Sequence, residues 1–126
     1  MNPWQDLTLN RREPVCPQLV RQVKRMLLLG RLENGERLPS RRETAAALEV
    51  NPNTVQKAYK QLEEEGIILT DGNQGSIVHC SPETYSRMEG ELTRSMAAEF
   101  VTSAKELHLS FKQTVDLLSG LWEEIR

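Results

Sequence analysis

Residues 40–66 read Ser40-Arg41-Arg42-Glu43-Thr44-Ala45-Ala46-Ala47-Leu48-Glu49-Val50-Asn51-Pro52-Asn53-Thr54-Val55-Gln56-Lys57-Ala58-Tyr59-Lys60-Gln61-Leu62-Glu63-Glu64-Glu65-Gly66. Two helix starts lie within this stretch. Ser40 with Glu43 three residues on is a capping box, in which each side chain satisfies a free backbone N–H at the helix start. The first helix is expected to run to about Leu48. Only Glu49 and Val50 separate it from Asn51-Pro52, an N-cap followed by proline at the first helical position. In the second helix Val55, Ala58, Tyr59 and Leu62 recur at helical spacing as the buried face, and Gly66 stops it. The opposite face shows Asn53, Gln56, Lys57 and Lys60. Two helices joined by a short turn, the second polar on its outer face, make the helix-turn-helix pattern.

The flanks extend this core. Upstream, Cys16, Leu19, Val20, Val23, Met26 and Leu27 fall on one helical face, with Arg21, Gln22, Lys24 and Arg25 on the other. Pro17 suits the first turn of that helix, Gly30 its stop, and Asn34-Gly35 a turn. Downstream, Ile67–Thr70 and Ser76–His79 are short β-compatible runs around the turn-rich Asp71-Gly72-Asn73-Gln74-Gly75, which reads as a hairpin. Ser81-Pro82 then opens a long helical stretch with a stripe of Tyr85, Met88, Leu92, Met96, Phe100, Ala104 and Leu107. Ser110 can cap a last helix whose apolar set is Phe111, Thr114, Val115, Leu118, Leu121, Trp122 and Ile125. The expected architecture is mainly α with a small β wing. Residues 1–80 would form a winged helix-turn-helix and residues 81–126 a two-helix antiparallel hairpin.

Charge separates the two parts. The net charge of −2 speaks against nucleic acid only while it is taken as a total. Residues 11–60 hold 11 Lys+Arg against 5 Asp+Glu, whereas residues 61–126 hold 5 against 12. A basic segment joined to an acidic one marks different partners for the two. No apolar run is longer than Met26–Leu29, which is far short of a membrane span. The first residues show neither a basic nor an apolar signal region. Two cysteines without a CxxC give no disulfide framework, so a reduced, cytoplasmic setting is expected.

The major groove admits one α-helix whose N-terminal residues reach base edges; Asn and Gln pair bidentately with adenine, Arg and Lys with guanine. Asn53, Thr54, Gln56 and Lys57 are the right chemical types in the right half of the helix. Arg41, Arg42 and Lys60 are long cations suited to flanking phosphates. A polar solvent face on a trihelical domain carries the same periodicity, so spacing alone leaves both readings open.

The run Gly30-Arg31-Leu32-Glu33-Asn34-Gly35-Glu36-Arg37-Leu38-Pro39-Ser40 resembles the signature of GntR-family winged-helix regulators. Val50 to Gly66 resembles that family's recognition helix, and the short tail is similar to its YtrA-like subfamily. A strand-like Leu7-Thr8-Leu9 agrees, and the resemblance spans roughly residues 7–79. It implies a bacterial transcriptional regulator, usually a repressor, acting as a homodimer on a (pseudo)palindromic double-stranded operator. By position the family's DNA contacts fall on Arg42, Asn51, Asn53, Thr54 and Gln56. The wing tip from Gly72 to Gly75, with Asn73 and Gln74, would lie along the minor groove. The sequence departs from the family where Arg41 and Thr44 replace apolar residues and Glu49 a turn glycine. The wing also lacks the family's usual cations, and Asp71 opposes phosphate.

Phe100, Phe111, Val115, Leu118, Leu121, Trp122 and Ile125 are expected to cover one another across a homodimer. A 46-residue tail has no room for an enclosed effector domain, so an effector would sit at the dimer interface or between tail and winged helix. No residues are assigned to one. The acidic tail also admits another use, as the docking surface of a protein-interaction module. His79-Cys80 with Cys16 and His108 lack metal-ligand spacing, so neither metal nor cofactor is expected. Glu63-Glu64-Glu65 should fan outward as a solvated edge. Nothing arranges a nucleophile with a base or a pair of catalytic acids, so an enzyme is not expected.

Overall fold

Ser40 and Ser110 start their helices in the same way. In the computed structural model, which describes residues 2–73 and 75–126, Ser40 Oγ accepts from Glu43 N–H at 3.0 Å. Glu43 Oε1 in return accepts from Ser40 N–H at 3.2 Å. Ser110 and Gln113 repeat the exchange at 3.1 and 2.8 Å. Each pair satisfies two N–H groups that a helix start leaves free. The helices are α1 (Val15–Leu28), α2 (Arg41–Leu48), α3 (Pro52–Glu64), α4 (Pro82–Glu106) and α5 (Phe111–Glu124). Between α3 and α4 lie strands β1 (Ile68–Asp71) and β2 (Gly75–Val78).

The chain divides into two compact units, Met1–Met88 and Glu89–Arg126, with the boundary inside α4. In the first unit α3 packs against both α1 and α2. Its core is Leu19, Val23, Leu32, Leu38, Val55, Ala58, Tyr59, Leu62, Ile67 and Ile68, all almost inaccessible to solvent. α3 ends in paired bonds, Gly66 N–H to Glu63 O at 3.0 Å and Ile67 N–H to Leu62 O at 2.9 Å. Gly66 takes the left-handed conformation (φ 77°) that this stop requires. The chain then enters β1 directly.

β1 and β2 pair antiparallel in the register Ile68 with Val78 through Asp71 with Gly75. The other edge of β2 is also used. Arg37 bridges Ile77, with Leu38 N–H on Ser76 O and Val78 N–H on Glu36 O, both at 2.9 Å. The loop before α2 is thereby tied to the wing, a pairing not visible in sequence.

Two expectations for the N-terminal part are corrected. Leu7-Thr8-Leu9 forms no strand; here Leu7 N–H turns back to Trp4 O at 3.1 Å. Gln22, placed by periodicity on the polar face of α1, is buried and donates to Pro3 O at 2.9 Å. Residues 2–6 fold over that side of α1, so its buried arc is wider than its apolar stripe.

Within Glu89–Arg126, Ala104 is the only buried residue among those described, and α5 buries none. Leu109 N–H bonds Ala104 O at 3.0 Å in the turn between the helices, where His108 is left-handed (φ 61°). No helix among the described residues is long and apolar enough to cross a membrane.

Candidate nucleic-acid interface

α3 meets opposite surroundings on its two faces. Val55, Ala58, Tyr59 and Leu62 are fully buried, while Asn53, Gln56, Lys57 and Lys60 are exposed. Spacings of three, four and seven residues bring these four onto one stripe of a firmly seated helix. Asn51 acts as the N-cap: its Oδ1 accepts from Asn53 N–H at 2.8 Å, while the residue stays exposed. Thr54 is half-buried, its N–H on Asn51 O at 3.0 Å. Arg42 is exposed on α2. Among the described residues no carboxylate lies within ion-pair distance of Arg42, Lys57 or Lys60.

The wing presents Asp71, Gly72 and Asn73 to solvent. Asp71 Oδ1 accepts from Asn73 N–H at 2.8 Å, an Asx turn that shapes the tip. Gln74, the other polar wing candidate, lies outside the described residues.

The cationic surface is smaller than the charge count of residues 11–60. Arg21 pairs with Glu13, Lys24 with Glu65 at 2.7 Å, Arg31 with Asp6 at 3.2 Å and Arg41 with Glu63 at 2.8 Å. Two of these pairs also correct the reading of Glu63-Glu64-Glu65 as a solvated fan. Glu63 joins α3 to α2 and also accepts from Thr70 Oγ1 on β1; Thr70 in turn lies 3.0 Å from Ser76 Oγ on β2. Glu65 joins α3 to α1. Burial pushes its carboxyl up, but hydrogen bonds from Lys24 and Gln61, with the charges of Lys24 and Arg87, leave it below the usual range.

Arg41, expected at a phosphate, is engaged inside the protein. Its guanidinium lies 5.0 Å from the centroid of the Tyr59 ring while it holds Glu63, and its Nε is buried without a partner. At the hydroxyl end of the same ring, Trp4 Nε1 donates to Thr44 Oγ1 at 2.8 Å, and Thr44 Oγ1 lies 2.9 Å from Tyr59 Oη. Tyr59 Oη donates to Pro39 O at 2.6 Å, so Thr44 is the donor to Tyr59. Burial, above all, pushes the Tyr59 phenol up. Two family departures, Arg41 and Thr44, thus meet on one tyrosine and set α2 against α3. Periodicity placed Tyr59 in the core; nothing in the spacing disclosed its partners.

Cys16 is half-buried and Cys80 buried, and both are free thiols. Burial raises both, and the charge of Lys57 partly offsets this at Cys16. Among the described residues no group of three or more His, Cys, Asp and Glu could hold a metal.

Comparison with known proteins agrees with this geometry. Residues 17–78 match the model of bacterial regulatory proteins, gntR family. The chain is 42% identical over 80 residues to the HTH-type transcriptional repressor YtrA of Bacillus subtilis, covering 64% of this chain and 61% of that protein. It is 34% identical over 104 residues to the HTH-type transcriptional regulator YhcF of the same organism, covering 82% and 86%. A GntR family transcriptional regulator from Listeria monocytogenes superposes with a TM-score of 0.78 at 27% identity, over 89% of this chain and 98% of that one. The chain therefore belongs to the GntR family of bacterial regulatory proteins, and α1–α3 with the β1–β2 wing are its DNA-binding winged helix-turn-helix.

Proposed function

We propose that the protein represses transcription as a homodimer, each protomer inserting α3 into the major groove of one half of a palindromic operator. In this reading residues 1–80 recognise DNA and residues 81–126 dimerise. The observation that carries it is the exposed stripe Asn53-Gln56-Lys57-Lys60, backed by a fully buried opposite face. Asn51, Asn53, Thr54, Gln56 and Lys57 serve the bases; Arg42 and Lys60 serve phosphates. Asn73, at the wing tip, serves the neighbouring minor groove.

The dimer is supported by the apolar surface of the tail. Phe111 and Trp122 are 85% and 82% exposed, and Phe100, Val115, Leu118, Leu121 and Ile125 are exposed with them. Covering each large side chain is worth about 1.5–3 kcal/mol. A second copy covers them symmetrically and matches a two-fold operator. Repression as the direction of control follows the name of the Bacillus subtilis relative YtrA.

Selection of bound duplexes from a random DNA pool tests the whole reading. Enrichment of a palindrome is expected, and recovery of no preferred sequence would refute it. Light scattering tests the dimer: Leu118→Asp with Trp122→Asp should convert a dimeric full chain to a monomer, and a variant that stays dimeric removes the tail from the interface.

A further inference from the structure

Two adjacent exposed arginines outside the recognition helix, Arg11 and Arg12, sit on one built turn. Gln18, on α1, is only 4% exposed although it is polar. Its carboxamide is spent on the chain just before the helix. Oε1 accepts from Asn10 N–H at 3.0 Å, and Nε2 donates to Asn10 O and Glu13 O, each at 3.0 Å. Asn10 Oδ1 also accepts from Arg12 N–H at 2.9 Å. A buried amide thus holds residues 10–14 in one conformation, and the crest of that turn is Arg11-Arg12. Both arginines are exposed, and among the described residues neither reaches a carboxylate, unlike Arg21, Arg31 and Arg41.

The turn leads directly into α1. α1 packs on α3, and Cys16, in the first turn of α1, feels the charge of Lys57 on the exposed stripe. Arg12 is four residues from Cys16. Arg25, another exposed arginine that reaches no carboxylate among the described residues, sits nine residues beyond Cys16, about 14 Å along the helix. Two cations on a hydrogen-bonded turn at the start of the helix that packs on α3 fit the evenly spaced anions of a duplex backbone, and arginine binds phosphate bidentately.

We propose that the Asn10–Pro14 turn is a second DNA contact, in which Arg11 and Arg12 grip backbone phosphates flanking the groove occupied by α3. This rests on the DNA-binding reading above. The contact supplies affinity without sequence information, and it compensates for a wing without cations and for Arg41, whose charge Glu63 holds.

The test uses the full chain with Arg11→Gln/Arg12→Gln, and Arg25→Gln as a control. Affinity is measured against salt on two probes, the most enriched selected duplex and a random-sequence duplex of equal length. Each lost phosphate contact lowers the slope of log K against log salt by about 0.9. The double variant should lose about 1.8 from the slope and bind both probes roughly ten- to a hundredfold more weakly at 0.1 M salt, with their ratio unchanged. Arg25→Gln should leave the slope as it is. A loss below about 0.9 in the double variant, or an equal loss in Arg25→Gln, overturns the proposal. Failure of the parent to bind either probe would instead refute the DNA-binding reading, and this proposal with it.

Discussion

Arg41 on α2 lies over the ring of Tyr59 on α3, 5.0 Å from its centroid, while its guanidinium holds Glu63 at 2.8 Å. One side chain therefore fixes two positions of the recognition helix, one turn apart on its inner side. Glu63 carries the link onward to Thr70 on the wing. The angle between the two helices of the motif, and the approach of the wing to them, depend on this junction.

Glu63→Gln should release the charge of Arg41 without removing the side chain that accepts from Thr70. DNA affinity should then rise for all sequences alike, with a salt slope steeper by up to about 0.9. Stability should fall by no more than about 1 kcal/mol, because both partners are partly solvated. A salt titration with a urea melt measures both. An unchanged or shallower slope would show that Arg41 does not reach the backbone once freed.

Tyr59→Phe removes the hydroxyl between Thr44 and the Pro39 carbonyl and leaves buried groups unpaired. A loss of about 1–3 kcal/mol in chemical denaturation is expected. A loss under about 0.5 kcal/mol would mean that water replaces the hydroxyl.

Glu49 closes α2 in the left-handed conformation at φ 55°, with Val50 N–H on Ala45 O at 3.1 Å. A side chain there costs about 1–2 kcal/mol that glycine avoids, partly offset by the greater freedom of glycine when unfolded. Glu49→Gly should therefore stabilise the protein, by up to about 1 kcal/mol, and raise the melting temperature in a calorimetric scan. A lowered melting temperature would contradict the strain.

Glu65 is held below its ordinary value by Lys24 and Gln61 against the effect of burial. Its folded pKa is lower than its unfolded one, so its contribution is complete above about pH 4.5 and is lost as pH falls through the folded value. Urea midpoints measured between pH 6 and pH 3, roughly the carboxylate range, should decline on the acid side. Glu65→Gln should flatten that decline, and an identical acid limb in the variant would exclude Glu65 as a cause.

Gln56→Ala and Lys60→Ala should separate the two kinds of contact. Loss of the amide should cost about 1–3 kcal/mol on the selected operator and relax its base preference. Loss of the ammonium should weaken every duplex alike and lower the salt slope by about 0.9. Equal behaviour of the two variants would argue against base reading by Gln56.

The helix starts were legible because a residue within four positions decides them, whereas the turn of Leu7 N–H back to Trp4 O was not. Ser40 with Glu43 and Ser110 with Gln113 act over three residues, and Asn51-Pro52 states a helix start in two letters. The stripe Asn53-Gln56-Lys57-Lys60 followed from the helical period, so the candidate reading surface was also open to sequence. The burial of Gln22 was not, because it depends on Pro3 nineteen residues away.

By itself, then, the sequence determined the five helices and the wing hairpin, the caps of α2, α3 and α5, the buried face of α3 and the family resemblance. These rest on hydrogen bonds and periodicities that span one or two helical turns. Only the tertiary structure decided which cations remain available. Arg41 and Arg42 are adjacent and chemically alike, yet one is drawn in by Tyr59 and Glu63 while the other meets no carboxylate among the described residues. The difference arises because residues 18 and 22 apart in the chain become neighbours when α2 packs on α3. A charge count cannot resolve that, since Coulomb attraction acts through distance in space rather than separation along the chain.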